Sequence, residues 1–306
     1  MEILSNSDSR HEHIPGFSGT ILFGEPMSRH TSFKIGGPAD IFAVPAEVSD
    51  LQVLLERLHK DSVSVFVLGA GTNLLVADKG IRGAVVQLGL GFRRVHVRRE
   101  EVSAGAALKL KRLMRESISH GLAGLECVAG IPGTVGGAIC MNAGTPQGCV
   151  RDCLVSVTAL DIRGALHSVP VDELGLEYRK SKVHENGLII AGAVFHLTLK
   201  DPSEINHVVK YQLHRRRLVQ PPGIGTAGSV FKNPPDGYAG QMLEDAGAKG
   251  MQFGGARVSS RHANWIENTG SASASDVREL MTRLQNLVTE KFGVTLEPEI
   301  ELVGEW

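Results

Sequence analysis

Two glycine-dense stretches constrain this chain more than anything else in it: "LGAGTNLLVADKGIRG" at 68–83 and "GIPGTVGGAICMNAG" at 130–144. Glycine enters positive-φ turns without steric penalty and lets a backbone come close to another group, so each run marks a tight turn or a close approach. The first run follows the β-branched stretch "VSVFVLG" and can offer successive backbone N–H groups to a phosphate. It is not the Rossmann dinucleotide fingerprint. Gly69 and Gly71 are followed by Leu74 where a third glycine is required, and glycines occupy the region where the ribose-binding acid should be. In the second run Thr134 and Asn142 add polar contacts to glycine and alanine. A single loop of this kind is most simply a loop, whereas two on one chain suit a pyrophosphate joined to a large planar body.

Helix and strand signals alternate around these loops. Residues 47–60, "EVSDLQVLLERLHK", repeat apolar positions at helical spacing, and a second helix is expected from about Ala107 to His120, stopped by Gly121, with Lys109, Lys111, Arg112 and Arg115 on its solvated side. Hairpin-like strands follow in "DCLVSVTALDIRGALHSV", turning at Asp161 to Gly164, and then a long strand in "LIIAGAVFHLTLK". After Pro202 come a basic helix reaching "LHRRRL", the loop "AGSVFKNPP", a helix from Ser275 to Phe292 closed by Gly293, and a final strand "VTLEPEIELV". The 306 residues are too many for one core. The expected division is a loose arm over 1–30, a body in two parts over 31–202 and a smaller domain over 203–306.

Composition excludes several function classes. Lys+Arg 32 against Asp+Glu 33 gives a formal net charge of -1, which supplies no attraction to nucleic acid or to an anionic membrane. The most apolar run, 121–141, contains Glu126, Pro132 and repeated glycine, so no membrane insertion is expected. The N-terminus lacks the basic-then-apolar pattern of a secretory signal, which points to the cytoplasm. Cys127, Cys140, Cys149 and Cys153 form no CxxC pair and are expected to be reduced and buried. The twelve histidines show no metal-binding spacing, "HEH" at 11–13 included, so no metal is expected. The oligomeric state is not fixed by these features, which are compatible with a monomer.

"GAGTNLL" with "GIPGTVGGAICMNAG", then "YRKSK", "GSVFKNP", "HANWIEN" and "LEPEI" in that order, resembles the UDP-N-acetylenolpyruvoylglucosamine reductases of peptidoglycan synthesis. The resemblance runs from about Phe33 to Val303, and the last four motifs in this order are specific to that family. It implies an α+β fold: a two-part FAD-binding domain of the vanillyl-alcohol-oxidase/PCMH type and a smaller C-terminal α+β substrate domain. It further implies noncovalent FAD, NADPH as hydride donor, and reduction of the enolpyruvyl ether of a UDP-sugar to the lactyl ether of UDP-N-acetylmuramate. The matching positions make Arg179, Ser229 and Glu299 catalytic, with Lys232 and Asn233 beside the nucleotide-sugar substrate. The cofactor positions expected are Gly69, Ala70, Gly71, Thr72, Asn73, Leu74, Gly130, Ile131, Pro132, Gly133, Thr134, Gly137, Asn142, Gly144 and Ile189.

These residue types suit the chemistry. Hydride addition to the enolpyruvyl terminus leaves negative charge on the neighbouring carbon and its carboxylate, and the fork of Arg179 can hold such a carboxylate. Glu299 helps only if protonated or compensated by Arg179, since a bare carboxylate facing another would repel it, and burial with this neighbouring negative charge is expected to raise its pKa. Ser229 is a weak acid, but a carbanion-like intermediate is a strong enough base to take its proton. Read without the family, Ser229 is a turn residue, Arg179 a surface ion-pair partner, Glu299 a strand-edge charge, and Lys232 with Asn233 loop scaffolding.

The chain departs from the pattern in three places. "GAGTN" stands for a triple glycine with serine, Gln241 stands where lysine is common, and the stretch between Arg179 and Ser229 is too short for the extra loop that carries a substrate-covering tyrosine in one subgroup. Two rivals stay open. One is a flavin oxidase or dehydrogenase of the same fold acting on an alcohol or sugar. The other is a nonenzymatic nucleotide-sugar binding module.

Overall fold

The structure, a computed structural model, describes residues 14–221 and 225–306. The "HEH" run and the first part of the expected arm lie outside the described residues. The chain forms two compact units, each discontinuous in sequence: one of residues up to 23, 40–69 and 83–214, the other of residues 24–39, 70–82 and 215–306.

The first unit carries two larger sheets. In the four-stranded one, β1 (Thr20–Pro26), β2 (Pro38–Val44), β3 (Val65–Leu68) and β5 (Ile81–Gln87) are ordered β1-β2-β5-β3, while β4 (Leu74–Val76) belongs to the second unit. The arm expected over residues 1–30 is therefore too long at its C-terminal end, because Thr20–Pro26 is a strand and Met27 is buried. Helix α1 (Val48–Lys60) forms as its periodicity predicts, with Leu51, Leu54, Leu55 and Leu58 on one buried stripe beside Ile41, Ala43 and Val86. Buried Asp50 enters the helix by accepting the Ser18 and Ala46 N–H groups at 3.0 and 2.9 Å. Burial acts to raise its pKa, but these hydrogen bonds outweigh it and hold the carboxyl below its ordinary range.

The five-stranded antiparallel sheet has β6 (Val95–Arg98), β7 (Glu101–Gly105), β11 (Leu154–Leu160), β12 (Leu166–Pro170) and β13 (Ile189–His196) in the order β12-β11-β13-β7-β6. Its hairpin turns where expected, because Asp161 Oδ1 accepts the N–H groups of Arg163 and Ala165 and Gly164 takes φ +86. The long strand expected in "LIIAGAVFHLTLK" breaks at Leu197, whose N–H donates to Glu100 O. Beyond the break β14 (Thr198–Leu199) pairs with β8 (Leu122–Ala123) instead.

Helix α2 (Leu110–Ser119) starts three residues later than its periodicity suggests. The reason is a remote partner: Lys109 bridges Thr134, Leu110 N–H donates to Gly133 O, and Leu108 O accepts the Val135 N–H. The same contacts start the short helix α3 (Val135–Cys140), capped by Thr134, and a small hairpin of β9 (Gly144–Thr145) and β10 (Gly148–Cys149) follows. Helix α4 (Pro202–Val219) buries Ile205 and Val209 with Met114 and Ala129.

The second unit is built on α6 (Ala274–Phe292), whose Val277, Leu280, Met281, Leu284 and Val288 repeat at helical spacing and pack with Phe33, Phe231 and Leu243. Ser273 and Asp276 form a capping box, Asp78 accepts the N–H groups of Ala274 and Ser275, and Gly293 ends the helix at φ +69. Around it lie α5 (Ala239–Asp245) and a three-stranded sheet of β15 (Gln252–Phe253), β16 (Ala256–Val258) and β17 (Ile266–Asn268). The final strand contracts from the expected 294–303 to β18 (Glu301–Val303), which runs parallel to β4. Pro298 has no N–H for a ladder, so the stretch before β18 bridges Phe231 and does not extend the strand. No helix among the described residues is long and apolar enough to cross a membrane.

Candidate active site

In the first unit the two glycine runs meet. Gly69 leaves β3 with its carbonyl accepting from Gln87 Nε2 at 3.2 Å, and a Cβ added to it would lie 2.9 Å from Thr134 Oγ1. Buried Thr134 accepts the Gly137 N–H at 3.4 Å, and Gly130 and Gly133 take φ +75 and +148. The first turn of α3 thus lies beside glycines at 69, 130 and 133, the kind of glycine-lined backbone that can come close to a pyrophosphate. Ile189 is buried at the start of β13, Ile131 is half-buried, and Pro132 is exposed.

Asn142, expected as a cofactor contact, also has a second task. It sits at φ +39, its Nδ2 donates to Glu177 O at 3.0 Å and its Oδ1 accepts the Arg151 N–H at 3.1 Å. Glu177 and Lys180 exchange backbone hydrogen bonds across the two-residue turn Tyr178–Arg179. Arg179 closes that turn at φ +54, a region costly for a side chain of its size and held here by neighbours that over-determine it. Its Nη2 donates to Gly144 O at 3.0 Å, and its guanidinium lies 5.1 Å from the Tyr178 ring centroid. The second glycine run therefore holds the "YR" turn twice, through Asn142 and through Gly144.

In the second unit the loop after Gly69 is equally tight. Gly71 takes φ +63 with its Cβ position 2.1 Å from His30 O, and its carbonyl accepts the Ser32 N–H. Ala70 is exposed, Thr72 half-buried and Leu74 buried. Asn73 Nδ2 donates to Glu299 O at 3.0 Å, and Asn73 O accepts the Glu301 N–H at 3.0 Å.

Ser229 and Glu299 come from neighbouring segments. The Glu299 N–H donates to Val230 O at 2.8 Å, and the Lys232 N–H donates to Glu297 O at 2.9 Å. Both Ser229 and Glu299 are half-buried. On the far side of the serine segment, buried Asn264 accepts the Phe231 N–H with Oδ1 and donates from Nδ2 to Phe231 O, while its own carbonyl accepts the Val230 N–H. Lys232 pairs with Glu297 at 3.5 Å, and Asn233 Oδ1 accepts the Ala239 N–H at the start of α5. Arg179 belongs to the first unit, whereas Ser229, Glu299, Lys232 and Asn233 belong to the second.

Three features were missed in the sequence. The grip of Asn264 lay in "HANWIEN", a motif that identified the family without suggesting a task for this side chain. Buried Thr226 Oγ1 and Trp265 Nε1, and the Ser181 Oγ two residues after Arg179, have no hydrogen-bond partner among the described residues. Buried orphans of this kind fit a chain that takes a large polar ligand. Among the cysteines, Cys127 and Cys153 are buried and free, as expected, but Cys140 and Cys149 are half-exposed. Burial pushes the Cys127 thiol up to about 12, which keeps it un-ionised. No group of three or more His, Cys, Asp or Glu side chains among the described residues could hold a metal ion.

Residues 39–169 match a family profile described as an FAD binding domain, and residues 220–303 match the C-terminal domain of UDP-N-acetylenolpyruvoylglucosamine reductase. The UDP-N-acetylenolpyruvoylglucosamine reductase of Moorella thermoacetica is 43% identical over 290 residues, covering 95% of this chain and 95% of that protein. That of Desulforamulus reducens is 41% identical over 287 residues, covering 94% and 95%. The crystal structure of the enzyme from Thermus caldophilus superimposes with a TM-score of 0.81 at 33% identity, covering 94% of this chain and 99% of that one. With its two glycine cradles, its "YR" turn and its paired serine and glutamate segments continuous across that length, the chain belongs to the family of UDP-N-acetylenolpyruvoylglucosamine reductases.

Proposed function

We propose that Arg179, Ser229 and Glu299 carry the reduction of UDP-N-acetylglucosamine enolpyruvate to UDP-N-acetylmuramate in this flavin-dependent oxidoreductase. Residues 31–202 form the FAD-holding part, with contacts from Gly69 to Leu74, from Gly130 to Gly144 and from Ile189, and residues 203–306 bind the substrate. Asn73, Asn142 and Thr134 hold the cofactor loops in shape as well as lining them. When bound, FAD reduced by NADPH would supply the hydride.

The protein's own groups manage the charge and the proton. The Arg179 fork binds the carboxylate that gains negative charge, and a geometry fixed in advance makes that stabilisation effective. The Ser229 hydroxyl gives its proton to the carbon next to that carboxylate. Glu299, on the segment beside Ser229, acts on the same developing charge. Lys232 and Asn233 face the phosphate or carboxylate side of the nucleotide sugar. The protein works in the cytoplasm, where its nucleotide-sugar substrate and NADPH are found.

The observation that carries this reading is the hydrogen bond from the Glu299 N–H to Val230 O, which sets the serine and glutamate segments side by side at 2.8 Å. The test is the visible spectrum of the purified protein, taken anaerobically, after NADPH and then after UDP-N-acetylglucosamine enolpyruvate. A flavin band that bleaches and then returns is expected. A band that bleaches and stays bleached would move the function to an oxidase of the same fold, and a protein that stays colourless after added FAD would leave only a binding module.

A further inference from the structure

We infer that Asn73 is a positioning residue for Glu299, so that one loop both lines the cofactor and aims the acid that acts on the substrate. The inference rests on the role proposed for Glu299. Its basis is a two-way clasp. Asn73 Nδ2 donates to Glu299 O at 3.0 Å, and Asn73 O accepts the Glu301 N–H at 3.0 Å. The residue thus holds the main chain on both sides of Ile300, a buried core residue. Immediately beyond it β4 and β18 pair in parallel, with Leu74 opposite Glu301.

What the clasp replaces is a ladder. Glu299 follows Pro298, which has no N–H to donate, so the pairing on its N-terminal side is the Phe231–Pro298 bridge and not a ladder. That bridge is made by the Glu299 N–H to Val230 O and the Lys232 N–H to Glu297 O, and the carbonyl grip from Asn73 adds a hold on the C-terminal side of Glu299. A carboxyl whose backbone is held on both sides is aimed more narrowly than one held on one side. Losing the Asn73 side chain removes this donor from Glu299 O and loosens the peptide plane that directs the side chain. The loop that contains Asn73 is itself fixed by Gly71, whose neighbours leave no room for a side chain.

The experiment uses the FAD-loaded enzyme in anaerobic stopped flow, with Asn73→Ala and the isosteric Asn73→Asp, which keeps the size but replaces the NH2 donor by oxygen. Asn73 also lines the cofactor loop, so the variants are compared at saturating FAD: reoxidation by substrate should slow roughly tenfold beyond any change in reduction by NADPH, the loss expected when one hydrogen bond that aims a reacting group is removed. Amide hydrogen exchange, read without turnover, should speed up in the peptide spanning 299–301. In the double variant with Glu299→Gln, reoxidation should be no slower than in Glu299→Gln alone, because a residue acting through Glu299 has nothing further to lose. Equal slowing of both half-reactions at saturating FAD, or additive effects in the double variant, would each overturn the positioning role. Reoxidation of Glu299→Gln at the parent rate would overturn the role of Glu299 itself and this inference with it, whereas a slow Glu299→Gln beside an unaffected Asn73→Ala would overturn the inference alone.

Discussion

In the proposed mechanism Ser229 acts only after hydride has left the nicotinamide, so its loss should divide the two half-reactions. Ser229→Ala is expected to leave flavin reduction by NADPH nearly intact and to slow reoxidation by substrate roughly a hundredfold or more, the effect of removing one essential donor. Equal slowing of both, read by anaerobic stopped flow, would end its role as proton donor. Arg179 is held differently, by a left-handed backbone and a guanidinium anchored on Gly144 O. Arg179→Lys keeps the charge but loses the fork, and reoxidation should fall about tenfold, the worth of one charge-assisted hydrogen bond. Reoxidation unchanged in that variant would mean that a point charge suffices there. Asn142, Asn73 and Asn264 show how far one amide can be committed, since each bonds backbone groups on segments remote in sequence.

Helix α6 is the element whose energetics are most open to test. Leu284 is fully buried among its neighbours, and Leu284→Ala should cost about 2–5 kcal/mol in urea unfolding, with the upper part of the range if the cavity stays open. The capping box is worth about 1 kcal/mol, which Ser273→Ala should remove. Asp276 gives this element a pH dependence. The Ser273 N–H, and after it the Gly255 N–H, hold its carboxyl below the ordinary range against a smaller effect of burial. A lowered folded pKa means that the unfolded state binds the proton first as pH falls. The stabilisation is therefore complete above the unfolded pKa and is lost as pH drops through the folded one. Unfolding midpoints of the parent and of Asp276→Asn should differ at neutral pH and converge in acid, and a gap that stays constant with pH would exclude the linkage.

Taken entire, the folded chain should depend on its cofactor. A flavin that binds the native protein and not the unfolded chain stabilises by mass action, about 2.7 kcal/mol when free FAD is a hundred times its Kd. Thermal unfolding of flavin-stripped protein should thus shift upward with added FAD and keep rising with its concentration. A transition indifferent to FAD would mean that the stripped native protein does not bind it in preference to the unfolded chain.

What could be read along the chain and what could not divides by the reach of the force involved. Helices α1 and α6 and the turn at Asp161 were legible because periodicity, caps and turn hydrogen bonds act within a few residues. The family was legible because its motifs are short and contiguous, and their order alone carried the fold, the flavin chemistry and the candidate catalytic trio. The late start of α2, the break at Leu197, the strand in the supposed arm and the short β18 were not legible, since each is decided by a partner far away: Gly133 and Thr134, Glu100, β2, and β4 with Pro298 in between. The sequence by itself therefore determined the family, the candidate groups for its reaction and the local elements that carry them. Only the tertiary structure decided how their segments are held, because the clasps made by Asn73, Asn142 and Asn264 join backbone groups that come within hydrogen-bond distance only once the chain has folded.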